Sequence, residues 1–226
     1  MIDIAVVDYG MGNLRSVAKA LEYVAPAKVI AVTSDPAAIL AAERVVFPGQ
    51  GAMPDCMREM DARGLRMPLL EAARTKPFLG LCIGLQMLFE HSEEGDTPGL
   101  GVLPGKVVRF SIARGDQGEK LKVPHMGWNQ VYQAFPHPMW EGIADGSRFY
   151  FVHSYYVDTP EQSLVAGTSR YPSSFTCAVA RNNIFAVQFH PEKSQSAGLR
   201  LLSNFVSWSG AKRVSVQMRA IPAANV

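Results

Sequence analysis

Cysteine is scarce, with three in 226 residues, and Cys56, Cys82 and Cys177 are an odd set without paired spacing. That argues against a disulfide framework and fits a reducing compartment. Neither sign of charge is in excess: 22 basic against 20 acidic residues leave a formal +2, too little and too evenly spread for nucleic acid to be the main partner. Long apolar runs are missing as well. No stretch of about 18 apolar residues could span a bilayer. Asp3 and Asp8 interrupt the N-terminus where a secretory signal needs an unbroken apolar core. The expectation is a soluble cytoplasmic protein with no membrane partner. Internal repeats and a convincing interdomain linker are also lacking. Cys56, Cys177, His91 and His137 show no ligand spacing, so neither a metal site nor a cofactor is expected. What the chain does have is hydrophobic content, 48%, enough for a substantial core at this length.

The first half alternates strand-like and helix-like runs. IDIAVVDY (2–9) reads as a strand buried on both faces, NLRSVAKALEYV (13–24) carries apolar residues at helical spacing, and KVIAVTS (28–34) is strand again. A short helix over 37–42, a strand RVVFPG (44–49), helix ending near Arg74 and a strand PFLGLC (77–82) follow, and the last runs straight into a predicted helix IGLQMLFEHSE (83–93). Four strands separated by helices predict a mostly parallel sheet with helices on both faces and right-handed crossovers. In the second half KVVRF, VPHMGWNQV, SRFYFVHSYYV, SLVAGTSR, FTCAVA and NIFAVQFHPE succeed one another with little helix between them, which predicts an antiparallel extension of the sheet. Asn182-Asn183 reads as a hairpin turn, 196–208 as a closing amphipathic helix and Gly210 as its stop. One domain over 1–210 and a loose tail over 211–226 are expected.

Cys82 ends an apolar strand at the head of a helix, with Gly80 and Gly84 two residues to either side. This G-x-C-x-G spacing is the thiol form of the nucleophile elbow, in which a tight strand-to-helix turn lifts the reactive side chain and needs glycine where neighbouring backbone crowds it. A helix N-terminus favours an anion, and its free N–H groups, beginning with that of Ile83, can bind a developing oxyanion. Alone, the spacing serves a buried structural cysteine equally well. His190 and Glu192 supply the missing context. FAVQFHPE ends another strand, residues two apart in extended chain face the same side, and Pro191 holds His190 in extended geometry. An imidazole oriented by a carboxylate is a base for the thiol. A second oxyanion donor is expected from the loop VVFPGQGA (45–52), where Gly49 and Gly51 flank Gln50.

With GLCIGLQ around Cys82, FHPE at 189–192 and PGQGA at 48–52, the chain resembles the class I (triad) glutamine amidotransferases. Within them, DYGMGNLRSV (8–17), VPHMGWN (123–129), FYFVHSYYV (149–157) and QFHPEKSQSAGLRLL (188–202) look like segments of the family of glutaminase subunits of imidazole glycerol phosphate synthase. The resemblance implies a flavodoxin-like α/β glutaminase paired with a (β/α)8 cyclase subunit, to which it passes ammonia. The cyclase product would be imidazole glycerol phosphate, with aminoimidazole carboxamide ribotide released beside it, in histidine biosynthesis. Carried onto matching positions, Cys82 is the nucleophile, His190 the general base and acid, and Glu192 its orienter. Gln86, His153, Ser154 and Tyr155 hold glutamine or shape the site, and Asn13, Trp128 and Lys193 face the partner. The chain departs from many relatives in having Gln50 where they have an apolar residue, and in its tail with Lys212, Arg213 and Arg219. A glutaminase subunit of another synthase, such as that for anthranilate, and a stand-alone thiol hydrolase are the competing readings.

Overall fold

The computed structural model describes residues 2–111 and 122–210. The predicted tail at 211–226, with its three basic residues, lies outside them. The first half runs β1 (Ile4–Val7), α1 (Leu14–Val24), β2 (Ile30–Thr33), α2 (Pro36–Ala41), β3 (Arg44–Phe47), α3 (Met53–Ala62), α4 (Arg66–Thr75), β4 (Phe78–Leu81) and a single turn of helix, α5 (Ile83–Gln86). The second half adds β5 (Phe89–Ser92), β6 (Thr97–Pro98), β7 (Leu103–Arg109), β8 (His125–Gln133), β9 (Ser147–His153), β10 (Tyr155–Asp158), β11 (Val165–Arg170), β12 (Ser174–Arg181), β13 (Ile184–Val187) and α6 (Gln195–Ser207). Asn13 and Asp35 cap α1 and α2 with their side chains, which accept from the N–H groups of Ser16 and Ala37. No helix among the described residues is long and apolar enough to cross a membrane.

The strands form one sheet in the order β2-β1-β3-β4-β13-β12-β10-β7-β5-β6, with β11, β8 and β9 branching from β12. β2, β1, β3, β4 and β13 pair in parallel, while β12, β10 and the branch pair antiparallel. The strands of the first half thus pair in parallel and those of the second half mostly antiparallel, as the sequence predicts, except that β5 pairs with β7 and β13 with β4 in parallel. Alternate side chains of a central strand enter opposite cores: Ala5 and Val7 pack on one side of the sheet, Ile4 and Val6 on the other. All four are fully buried or nearly so, each valine contributing about 1.5–3 kcal/mol. The predicted turn at Asn182-Asn183 joins β12 to β13, with Arg181 opposite Ile184 and Asn182 at φ 52°.

Two expectations about helices are corrected. The stretch ending near Arg74 is two helices, parted where Gly64 takes a positive φ of 65°. The helix expected over 83–93 stops after Gln86, and Phe89–Ser92 is a strand beside β7. The segment 99–103 is responsible: Leu100 N–H donates to the Met87 carbonyl, Val102 and Leu103 to that of Leu88, and Gly101 to that of Phe89, at 2.8–3.0 Å. Carbonyls that a longer helix would satisfy internally are taken by distant chain, so sheet pairing overrides the local apolar period. The run SRFYFVHSYYV also divides, because β9 pairs with β8 whereas β10 leaves at Ser154 to pair with β7 and β12.

Candidate active site

The elbow at Cys82 is a consequence of close packing between β4, β13 and β3. Leu81 lies opposite Val187 in the parallel β4–β13 ladder, and the Cys82 N–H donates to the Val187 carbonyl at 2.8 Å. The chain then turns at once into α5, with the Cys82 carbonyl accepting from Leu85 N–H at 3.0 Å and Gln86 N–H at 3.3 Å. Cys82 itself sits at φ 55°, ψ −111°, a conformation that costs about 1–3 kcal/mol in a residue with a side chain. The flanking glycines are steric necessities. A Cβ on Gly80 would lie 2.9 Å from the Ala186 Cβ, and one on Gly84 would overlap the Phe47 carbonyl oxygen.

The next segment brings the imidazole to the sulfur. Beyond β13, the His190 N–H donates to the Tyr150 carbonyl at 2.9 Å, and the Ser194 hydroxyl donates back to the His190 carbonyl at 2.6 Å. His190 Nδ1 stands 2.9 Å from Glu192 Oε1, and both side chains are almost wholly buried. A carboxylate only accepts, so Nδ1 carries the proton, and Nε2 is left without a hydrogen-bond partner among the described residues. Burial opposes the imidazolium, but negative charge at neighbouring Cys82, and after it Glu192, outweighs burial and holds the His190 pKa up at about 10.

Cys82, Ile83, Gln86 and His190 open on a cleft of about 350 Å³, whose wall on one side is Gln50 and Gly51. His153, Ser154 and Tyr155 close the other side, where the chain passes from β9 to β10. Gly49 falls behind this cleft, in a small second cavity shared with Asn13, Gln50, His190 and Glu192. Gly51 takes φ 111°, and a Cβ on Gly12 would lie 3.7 Å from Gln50 N, so the loop after β1 packs on the loop after β3. Trp128 and Tyr150 meet edge to face at 6.1 Å, with Lys193 Nζ 5.9 Å from the Tyr150 ring, which puts the two more distant predicted interface residues in one surface cluster. Asn13 caps α1 and lines the small second cavity with His190 and Glu192.

Three features of this region escape the sequence. Glu94 lines the cleft while its Oε2 accepts from Met53 N–H at 2.8 Å. Gln188 is fully buried against Cys82. His125 and Asn129 stand behind His153 in a chain of hydrogen bonds. No motif marks Glu94, but Gln188 could have been noticed as a polar residue at strand period with His190.

A thiol at a helix start, an imidazole backed by a carboxylate and a polar cleft of this size can carry acyl transfer from a small amide. The comparisons with known proteins bear on the same chemistry. The family profile described as glutamine amidotransferase class-I matches residues 5–208. The imidazole glycerol phosphate synthase subunit HisH of Aromatoleum aromaticum is 68% identical over 211 residues, 92% of this chain and all of that protein. The protein of the same name from Thiobacillus denitrificans is 66% identical, covering 95% of both chains. Among solved structures, one described as a glutamine amidotransferase superposes with a TM-score of 0.67 at 16% identity, covering 90% of this chain and 99% of that one. The glutaminase domain of Trypanosoma brucei CTPS with bound acivicin gives 0.61 at 17% identity, over 97% of this chain and 98% of that one. The two structures share the fold; the profile and the curated relatives go further, and the chain belongs to the class-I glutamine amidotransferases and, within them, to the family of HisH subunits of imidazole glycerol phosphate synthase.

Proposed function

We propose that residues 1–210 hydrolyse glutamine to glutamate and ammonia with Cys82 as nucleophile, His190 as proton carrier and Glu192 as its orienter. The observation that carries this reading is the 2.9 Å contact of Glu192 with His190 Nδ1, which turns Nε2 free toward the cleft that Cys82 heads. The Cys82 thiolate adds to the glutamine carboxamide carbon, and the negative oxygen is stabilised by Ile83 N–H and by the loop of Gly49, Gln50 and Gly51. Losing one such donor typically costs about 100 to 1,000-fold in rate. His190 gives its proton to the departing nitrogen, and ammonia leaves a γ-glutamyl thioester. The imidazole then takes a proton from water, whose hydroxide adds to the thioester and releases glutamate and the thiolate. Gln86, His153, Ser154 and Tyr155 hold the substrate, and Glu94 offers a carboxylate to its α-ammonium group.

In bulk water near neutral pH the ammonia would be protonated, so a sealed route to a second active site makes physical sense. The relatives' names support a (β/α)8 cyclase as the partner, in a heterodimer of the cytoplasm that makes imidazole glycerol phosphate and aminoimidazole carboxamide ribotide for histidine biosynthesis. Asn13, Trp128 and Lys193 are assigned to that interface. Incubation with an electrophilic glutamine analogue tests the site, the expected result being one adduct, on Cys82, that Cys82→Ala abolishes. Labelling elsewhere counts against it. Glutaminase rates with and without the cyclase and its nucleotide test the partner, and efficient turnover alone would favour a free-standing thiol hydrolase.

A further inference from the structure

The proposed chemistry leaves a fully buried glutamine unused, and its surroundings dictate which way its amide faces. β13 ends at Val187, and Gln188 follows it in a bend that leads to extended His190 and the 3-10 turn Pro191–Lys193 carrying Glu192. Because Leu81 is registered with Val187, the following residues Cys82 and Gln188 lie side by side. The Gln188 N–H is tied to the Cys177 carbonyl at 2.8 Å, and its side chain is wholly shielded from solvent.

The orientation follows from the far end of the chain of contacts. The Tyr155 main-chain oxygen can only accept, so the Gln86 group 3.2 Å away must be Nε2. The other N–H of that nitrogen reaches Gln188 Oε1 at 3.0 Å. An oxygen facing Gln86 leaves Gln188 with its Nε2 facing away, and that nitrogen stands 3.7 Å from Cys82 Sγ. A reversed Gln86 amide would set oxygen against oxygen at Tyr155. The same sequence of donors and acceptors leaves Gln86 Oε1 buried, without a partner among the described residues, in a side chain that lines the cleft.

We propose that Gln188 is a positioning residue of the reaction, with two consequences. Its Nε2–H donates to the Cys82 sulfur, favouring the thiolate and fixing its direction. Its Oε1 locks the Gln86 amide so that the Gln86 oxygen is presented to an N–H donor of the substrate. The first effect belongs to kcat and the second to KM. The inference rests on Cys82 being the nucleophile.

The test uses the full chain together with its cyclase partner. Gln188→Met keeps the length of the side chain and removes both polar ends. The expected result is a loss of about tenfold or more in kcat, the scale of one hydrogen bond to a charged group. Iodoacetamide, which needs no glutamine pocket, should alkylate Cys82 more slowly in this variant, read at the Cys82 peptide by mass spectrometry, with a deficit that shrinks as pH is raised. A side chain that merely fills space would not produce that pH-dependent deficit. Gln86→Met should raise KM, and the double variant should lose less than the product of the single losses, since one chain of bonds is broken twice. Should Gln188→Met fail to fold, Gln188→Asn, too short to reach both neighbours, is expected to show the same slowed alkylation. Wild-type kcat and wild-type alkylation in a folded Gln188 variant would overturn the proposal, as would strictly multiplicative losses. Turnover that survives Cys82→Ala would instead overturn the nucleophile, so the two failures are distinct.

Discussion

His125 donates from Nδ1 to His153 Nε2 at 2.9 Å, and every other hydrogen bond of this pair follows from one carbonyl. His153 Nδ1 faces the Tyr155 oxygen at 2.8 Å, so it must carry a proton. Neutral His153 is then an acceptor at Nε2, His125 a donor at Nδ1, and the remaining His125 nitrogen accepts from Asn129 Nδ2 at 3.2 Å. The His125 ring also stacks on Tyr171, with centroids 4.1 Å apart. Tyr155 O receives both His153 and Gln86, so the wall of the cleft and the chain of amides leading to the sulfur share an anchor.

Acid should break this pair. Burial pushes the His125 pKa down to about 4 and that of His153 to about 3, the Tyr155 carbonyl opposing the latter shift. Histidines with depressed values stabilise the fold above their unfolded pKa of about 6.5 and lose that contribution as pH falls toward the folded values. The slope approaches about 1.4 kcal/mol per pH unit for each ring. Urea denaturation between pH 7 and pH 4 should therefore show stability falling, and His125→Phe should flatten the dependence. An unchanged slope in that variant would count against the neutral pair.

Removing the sulfur should release the imidazole. Burial alone lowers the His190 pKa, and Cys82 supplies the largest opposing influence, so in Cys82→Ala the value should drop below the roughly 10 of the intact site. NMR titration of His190 reads this directly. A His190 that titrates alike in both proteins would mean that sulfur and ring do not interact.

Glu192→Gln keeps the shape of the pair but turns an acceptor into a group that can offer either end to Nδ1. The tautomer with Nε2 free is no longer enforced. Steady-state assays with the cyclase present should show kcat lower by at least about 100-fold, the low end of general acid and base contributions, with KM for glutamine little altered. Loss of affinity without loss of kcat would assign Glu192 to binding instead.

Gly84→Ala tests the elbow as a steric object. Its methyl group would overlap the Phe47 carbonyl oxygen, so β3 and α5 must separate. About 2 kcal/mol or more of stability should be lost, judged from the cost of overpacking, and glutaminase activity with it. Denaturation midpoints settle the first part. Gly101→Ala is the control for a glycine with no neighbours near its Cβ, although its φ of 64° carries a backbone cost of its own.

Much of the site was legible because its pieces are local. G-x-C-x-G announces a crowded turn, and the structure gives the crowd its names, Ala186 beside Gly80 and Phe47 beside Gly84. His-Pro-Glu announces a paired ring and carboxylate, but their 2.9 Å contact is made across the 3-10 turn Pro191–Lys193 that follows extended His190, and not along the extended chain the sequence suggests. The helix expected over 83–93 misled for the opposite reason: residues 87–89 look helical by periodicity, but their carbonyls are claimed by residues 100–103, and no local signal reports that.

The sequence by itself determined the alternation of strands and helices in the first half, the hairpins of the second, the strained position of Cys82 and the pairing of His190 with Glu192, since each follows from periodicity, glycine sterics or the stiffness of proline over a few residues. The tertiary structure alone decided that β13 inserts beside β4 and so brings ring and sulfur to one cleft, that Gln188 faces Cys82, and that His125 and His153 stay neutral. These depend on which strand lies next to which and on how completely water is excluded there. Both are settled by the free energy of burying the whole sheet, which no short stretch of chain contains.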